Sequence, residues 1–153
     1  MDDVDSIAQT VAGLGGAYER LALVVGEAGS GKSTVLAAAA EQEGWPLINV
    51  GLSLSERLLD VAPLHRAAKV SGLLTDLIAE GETSVVLLDD IEILFEPSLE
   101  LDPLGLLRDL ARRTTLVVVW PGEANSDSLT YATPGHPEHR QYSAAHLPLI
   151  SIR

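Results

Sequence analysis

The chain has 153 residues, 46% of them hydrophobic, enough for one domain with its own core and too few for a second of useful size. It has no cysteine, which excludes disulfides and thiolate metal centres, and its acidic start (Met1-Asp2-Asp3-Val4-Asp5) and short apolar runs fit neither a secretory signal nor a membrane span; a cytoplasmic protein is expected. The net charge of −12, with Lys32 and Lys69 the only lysines, opposes a phosphate backbone, so direct DNA binding by the isolated domain is disfavoured and the acidity reads as a solubility device.

Apolar residues at helical spacing over 4–14 predict a first helix, ended by Gly15-Gly16. Leu21–Val25 reads as a buried parallel strand. A glycine-rich turn follows, and then a helix from Ser33 to about Gln42–Gly44. Pro46–Val50 reads as a second strand of the buried type. Ser53-Leu54-Ser55-Glu56 fits a capping box and starts a helix through about Val61, stopped near Pro63. Another helix covers about Arg66–Glu80, and Ser84–Leu88 is the third strand. Asp102 and Pro103 suit the cap and first turn of a further helix, with Arg112-Arg113 at its far end, where cations favour the helix dipole. Thr115–Trp120 is the fourth strand, closed by Pro121-Gly122. The stretch 122–145, rich in Gly, Ser, Pro and His, reads as an ordered loop, and Leu147–Ile152 as a fifth strand kept to an edge by Pro148. This alternation predicts a single three-layer α/β domain over 1–153, with a mostly parallel five-stranded sheet and ligands at the strands' C-terminal ends.

The turn after strand one carries the chemistry. Gly26, Glu27, Ala28, Gly29, Ser30, Gly31, Lys32, Ser33 and Thr34 match G-x-x-x-x-G-K-[ST] at every fixed position, between a strand and a helix as its mechanism requires. Glycines let successive N–H groups point into one concave nest, and the helix N-terminus adds its field. Lys32 then reaches the β- and γ-phosphates of ATP (or ADP), and the Ser33 hydroxyl ligates Mg²⁺. Strand three ends in Asp89-Asp90-Ile91-Glu92. An acid after four apolar residues is the arrangement that sets a carboxylate opposite Ser33 to hold Mg²⁺, and Asp89 is the first candidate. Its plainer role is to cap the turn that follows.

Hydrolysis needs a group to position the attacking water, and the chain offers Asp90 and Glu92. Aspartate is one methylene short for that task. Glu92 has the length, with a register that leaves it free to face away from the site. Slow turnover, or hydrolysis completed by another protein, is the expectation. Trp120 holds the strand-four end as a packing residue, with Asn125 and Thr130 weak substitutes for a polar sensor. Arg112 and Arg113 read as helix-closing cations before they read as a finger into a neighbouring subunit of a homo-oligomer. His136-Pro137-Glu138-His139 lacks metal-site spacing. The segment Tyr131–Tyr142 around it suits a partner surface or a cover over the nucleotide.

Three stretches together, NVGLSLSERLL at 49–59, LLDDIEILFEPSLELDPLGLL at 87–107 and LTYATPGHPEHRQY at 129–142, resemble BrxF, the small P-loop protein of type 3 BREX (bacteriophage exclusion) systems. The resemblance implies an ATP-binding component of antiphage defence acting beside other BREX proteins. It places the family's nucleotide loop on Gly26–Thr34 and its Walker B acid on Asp89. Relatives carry asparagine where this chain has Asp90, so the resemblance does not require an acid there. The Walker B text is also similar to that of the replication-initiator branch of the AAA+ ATPases, in which a glutamate occupies the place of Asp90; this chain is AAA+/ASCE-like without room for a helical lid domain. Three functions stand at this point: a weak Mg²⁺-dependent ATPase, a non-hydrolysing nucleotide switch, and a small-molecule kinase. The kinase reading is the weakest, because only Arg140 and Arg153 follow strand four as candidate lid arginines.

Overall fold

The computed structural model describes residues 2–152; Arg153 lies outside the described residues. In chain order the elements are α1 (Asp3–Gly13), β1 (Leu21–Val25), α2 (Lys32–Glu43), β2 (Leu47–Asn49), α3 (Val50–Leu58), α4 (Arg66–Ala79), β3 (Val85–Asp89), α5 (Pro103–Leu110), β4 (Thr115–Val119), β5 (Glu123–Ala124), β6 (Ser128–Tyr131), β7 (Arg140–Ser143) and β8 (Leu149–Ser151). Single 3-10 turns cover Pro63–His65, Glu92–Phe95 and Pro97–Leu99.

The main sheet has five strands in the order β2-β3-β4-β1-β8, and every pairing is parallel. Side chains alternate across each strand, so two apolar layers form from one sheet. Leu21, Leu23, Val86, Leu88, Leu116 and Val118 pack with α3, α4 and α5. Ala22, Val24, Leu87, Val117 and Val119 pack with Ile7 of α1 and with Leu36 and Ala39 of α2. At about 1.5–3 kcal/mol per fully buried aliphatic side chain, these two seams hold the three layers together. With β4 inserted between β1 and β3, this three-layer arrangement resembles the core of P-loop NTPases. No helix among the described residues is long and apolar enough to cross a membrane.

Three expectations need correction. Helix α3 starts at Val50, because Asn49, the last residue of β2, accepts the Leu52 N–H at 2.9 Å and caps the helix directly. The Ser53–Glu56 capping box is therefore swallowed inside the helix, which closes at Leu58 and not near Val61. Strand β2 is an edge strand, with Leu47 40% exposed, and not one of the buried type. The stretch 122–145 is no loop: β5, β6 and β7 form a three-stranded antiparallel sheet. Its strands are too short, and too full of Ser, Thr and Arg, to show a period of two.

That small sheet is fastened by aromatic rings and polar ties. Tyr131 stacks on Phe95 at 3.9 Å, and Trp120 meets Phe95 and Tyr142 edge-on at 5.6 and 6.1 Å. The Trp120 indole N–H donates to Thr130 O at 3.1 Å, and Arg140 donates to Leu101 O at 2.8 Å. Asp102 stands at the N-cap of α5 but caps nothing with its side chain; it accepts the Tyr142 hydroxyl at 2.7 Å. Burial, then this hydrogen bond, pushes the Tyr142 phenol up to about 12.

Candidate nucleotide-phosphate site

Buried, β-branched Val24 and Val25 end β1, and the chain then turns through residues that hold it open at the C-terminal edge of the sheet. Gly29 (φ 80°) and Gly31 (φ 95°) adopt the left-handed conformation that costs any other residue about 1–2 kcal/mol. Gly26 is required for a different reason. A Cβ there would lie 2.6 Å from Ser30 Oγ and 2.7 Å from Ile152 O. Ser30 N–H closes the turn onto Glu27 O at 3.0 Å, and the Ser30 hydroxyl is buried without a partner.

Helix α2 begins at Lys32, and its N-cap, Gly31, supplies no side-chain acceptor. The first amides of the helix therefore have no intrahelical or capping partner, the arrangement that favours an anion. A cavity of about 1090 Å³ lies against this loop. Gly26, Glu27, Ala28, Ser30 and Lys32 form one wall, and Pro121–Ala124, Ser151 and Ile152 the other.

Lys32 joins the strands' ends. Its ammonium donates to Gly26 O at 3.0 Å and to Trp120 O at 3.1 Å, leaving one N–H of three. Burial lowers its pKa, and the carboxylates of Glu92 and then Asp89 oppose that shift. Asp89 ends β3, and its Oδ1 accepts the Asp90 N–H at 2.7 Å, so the plainer turn-capping role is present in the geometry. Ser33 is exposed on the first turn of α2.

Asp90 and Glu92 part company. Asp90 is left-handed (φ 53°), its carbonyl accepts the Gly51 N–H at 2.8 Å, and its carboxylate lies against Gly51, where a Cβ would meet Oδ2 at 2.5 Å. It thus packs on the first turn of α3. Glu92 opens the 3-10 turn that follows, and of all the carboxylates it acts most strongly on Lys32. Burial pushes its carboxyl up, and the charge and hydrogen bond of Asp90, followed by Asp89, push the same way.

The remaining candidates are structural in their contacts. Asn125 Oδ1 accepts the N–H groups of Asp127 and Ser128 at 2.8 and 2.9 Å, shaping the β5–β6 turn. Arg112 lies 3.9 Å from Glu19, 3.6 Å from Asp109 and over the Tyr18 ring at 4.8 Å, ahead of β4 and so at the opposite end of the sheet from the phosphate loop. His136 Nδ1 accepts the Glu138 N–H at 3.0 Å, and His139 Nδ1 donates to Ala132 O at 3.1 Å, both shaping the β6–β7 hairpin. Among the described residues no three His, Asp or Glu side chains are grouped to hold a metal. Oxygen donors from Ser33 and Asp89 suit Mg²⁺, whose shell phosphate oxygens and water would have to complete. One participant carried no distinctive sequence signal: the Trp120 carbonyl, which every residue possesses.

No protein-family model matches the chain, and neither does any curated protein. Among solved structures it is similar to AMPPCP-bound DnaA from Aquifex aeolicus, with a TM-score of 0.47 and 15% identity. The match covers 97% of this chain and 44% of that one, so the chain spans less than half the length of that protein.

Proposed function

We propose that this chain binds ATP or ADP with Mg²⁺ and hydrolyses ATP slowly, as a component of a BREX-type antiphage defence system. The observation that carries the nucleotide reading is Lys32, held over the open glycine loop by the carbonyls of Gly26 and Trp120, with the charges of Glu92 and Asp89 acting on it. The loop amides and the N-terminus of α2 take the phosphate oxygens, and Lys32 neutralises the charge that grows on the outer phosphates. Ser33 and Asp89 would hold Mg²⁺, which supplies further charge neutralisation at those oxygens. Glu92 orients the water and takes its proton, a task its raised proton affinity suits. Asp90, turned onto Gly51, contributes through Glu92 and does not reach the water itself. Calorimetric titration of ATP in Mg²⁺ tests the reading: Lys32→Ala should weaken binding by about 100-fold or more, and unchanged affinity overturns it.

The defence role rests on the resemblance of residues 49–59, 87–107 and 129–142 to BrxF. It predicts a cytoplasmic protein that contacts other BREX proteins, or further copies of itself, and neither a membrane nor DNA directly. Wild-type protein should restore phage resistance to a deletion strain and the Lys32→Ala variant should not. A second reading, a switch that binds without hydrolysis, is favoured by one observation: the residue in the usual water-positioning place, Asp90, is committed to Gly51. Glu92→Gln separates the two, since it should leave resistance intact in a switch and abolish it in an ATPase.

A further inference from the structure

Among the described residues five large apolar side chains are exposed, and four of them, Leu47, Leu52, Leu59 and Leu64, fall between residues 47 and 64. Single exposed leucines are ordinary on a protein surface, but leucines gathered on one face mark a place where something docks. Helix α3 shows how the face arises. Val50, Leu54 and Leu58 are buried, and their spacing of four residues makes the stripe that packs on the core. Leu52 and Leu59 are seven residues apart, so they stand in line about two turns from each other on the other side of the helix. They are 60% and 77% exposed. Leu64, 88% exposed, stands on the 3-10 turn Pro63–His65 that follows.

Leu59 is also part of the wall of a groove of about 350 Å³. Leu58, Pro63, Ile93 and Leu99 complete its apolar lining, and Arg66 and Glu96 bring charge to it. Glu56 lies between Leu52 and Leu59 on the helix and Asp60 follows Leu59; both are exposed, as is Glu96. Arg57 is neutralised by Glu80, so Arg66, whose Nε donates to Val61 O at 3.0 Å, stands against these three carboxylates.

The charges choose the occupant. A second copy would bring the same carboxylates against themselves, in a chain of net charge −12. Nucleic acid and an anionic membrane surface are repelled for the same reason. Apolar anchors flanked by Lys or Arg satisfy the leucines and the acids together. We infer that this face docks a basic amphipathic helix of a partner protein, its apolar side on Leu52, Leu59, Leu64 and the groove, its cations on Glu56, Asp60 and Glu96. The inference goes beyond the phosphate site and does not depend on it.

The probe is a dye-labelled helical peptide of about 18 residues, with leucine on one side and lysine on the other, read by fluorescence anisotropy beside a matched leucine–glutamate peptide. Wild-type protein should bind the lysine peptide about 10-fold or more tighter than the glutamate one. Leu59→Ser combined with Leu64→Ser keeps the net charge of −12, so it spares any diffuse attraction of a basic peptide to an acidic protein. It should nevertheless weaken the lysine peptide by about 10-fold or more, with ATP affinity unchanged and the fold intact by circular dichroism, because both side chains are exposed. Glu56→Lys combined with Asp60→Lys should reverse the preference between the two peptides. Equal binding of the lysine peptide by wild type and the leucine variant overturns the inference, and so does equal binding of both peptides by wild type. A wild-type dimer in sedimentation equilibrium that the leucine variant turns into a monomer gives the face to a second copy and overturns it too. Unchanged ATP affinity in Lys32→Ala sinks the nucleotide reading and leaves this one standing, because the peptide needs no nucleotide.

Discussion

Gly122→Ala is the sharpest stability test of how the small sheet is attached. A Cβ at this position would lie 1.8 Å from Thr130 O, 2.8 Å from Thr130 C and 3.0 Å from Tyr131 Cα, all of them backbone atoms. An ordinary carbon–oxygen contact is about 3.3 Å, so the two chains must separate by about 1.5 Å. No side-chain rotation relieves this. Thr130 O also accepts the buried Trp120 indole at 3.1 Å, and the same retreat takes that bond out of range. Overpacking costs about 1–3 kcal/mol and an unpaired buried donor another 1–3. The two add to about 2–6 kcal/mol, and because one displacement relieves the first while causing the second, the total falls short of the upper end. Urea unfolding followed by tryptophan fluorescence would read this as a lower midpoint at unchanged slope. Gly72→Ala is the control. It sits inside α4 with nothing within 4 Å of the new Cβ, and it should stabilise the chain by about 0.5–1 kcal/mol. A Gly122→Ala midpoint within about 0.5 kcal/mol of wild type would refute the attachment.

Gly26→Ala should weaken ATP binding at least 10-fold by calorimetry, because Ser30 can turn aside but the Ile152 carbonyl cannot without moving the end of β8. Glu92→Gln should be more stable than wild type at pH 7. The folded state raises the Glu92 pKa, so ionising that carboxyl disfavours folding; the difference vanishes below about pH 4, where both states hold the proton. Glu92 is exposed to solvent, which reduces the effect to a few tenths of a kcal/mol, measurable as a pH-dependent difference in urea midpoints. In an alkaline absorbance titration Tyr142 should ionise at about 12, and Tyr142→Phe should delete that step alone.

The phosphate loop was legible because its mechanism prescribes the residues: positive φ and close approach demand glycines, and charge demands Lys32. The five parallel strands were legible as apolar runs, and Pro148 marked β8 as an edge. Competition between signals hid the start of α3. Asn49 and Ser53 are both good caps, and only the position of the strand end gives Asn49 precedence. The small sheet was illegible for a different reason, since β5 to β7 owe their pairing to Phe95 and Trp120 and not to any pattern of their own. The pull of the Glu92 charge on Lys32 was out of reach altogether. It depends on the left-handed turn at Asp90, a conformation that aspartate tolerates but does not announce.

Trp120 makes the small sheet a party to whatever happens at Lys32. Its backbone carbonyl takes one of the lysine's three N–H groups and its indole holds Thr130, while its ring packs on Phe95 and Tyr142. An incoming phosphate oxygen either uses the one remaining N–H or displaces a carbonyl, and displacing Trp120 O removes a tie between the loop and the sheet. Whatever free energy phosphate gains or loses by that exchange, the attachment of the sheet must change by the same amount, since such coupling is reciprocal. A partner that grips the hairpin beyond Tyr131 would then tune affinity at the phosphate loop without touching it. A nucleotide would set in turn how firmly the hairpin is presented.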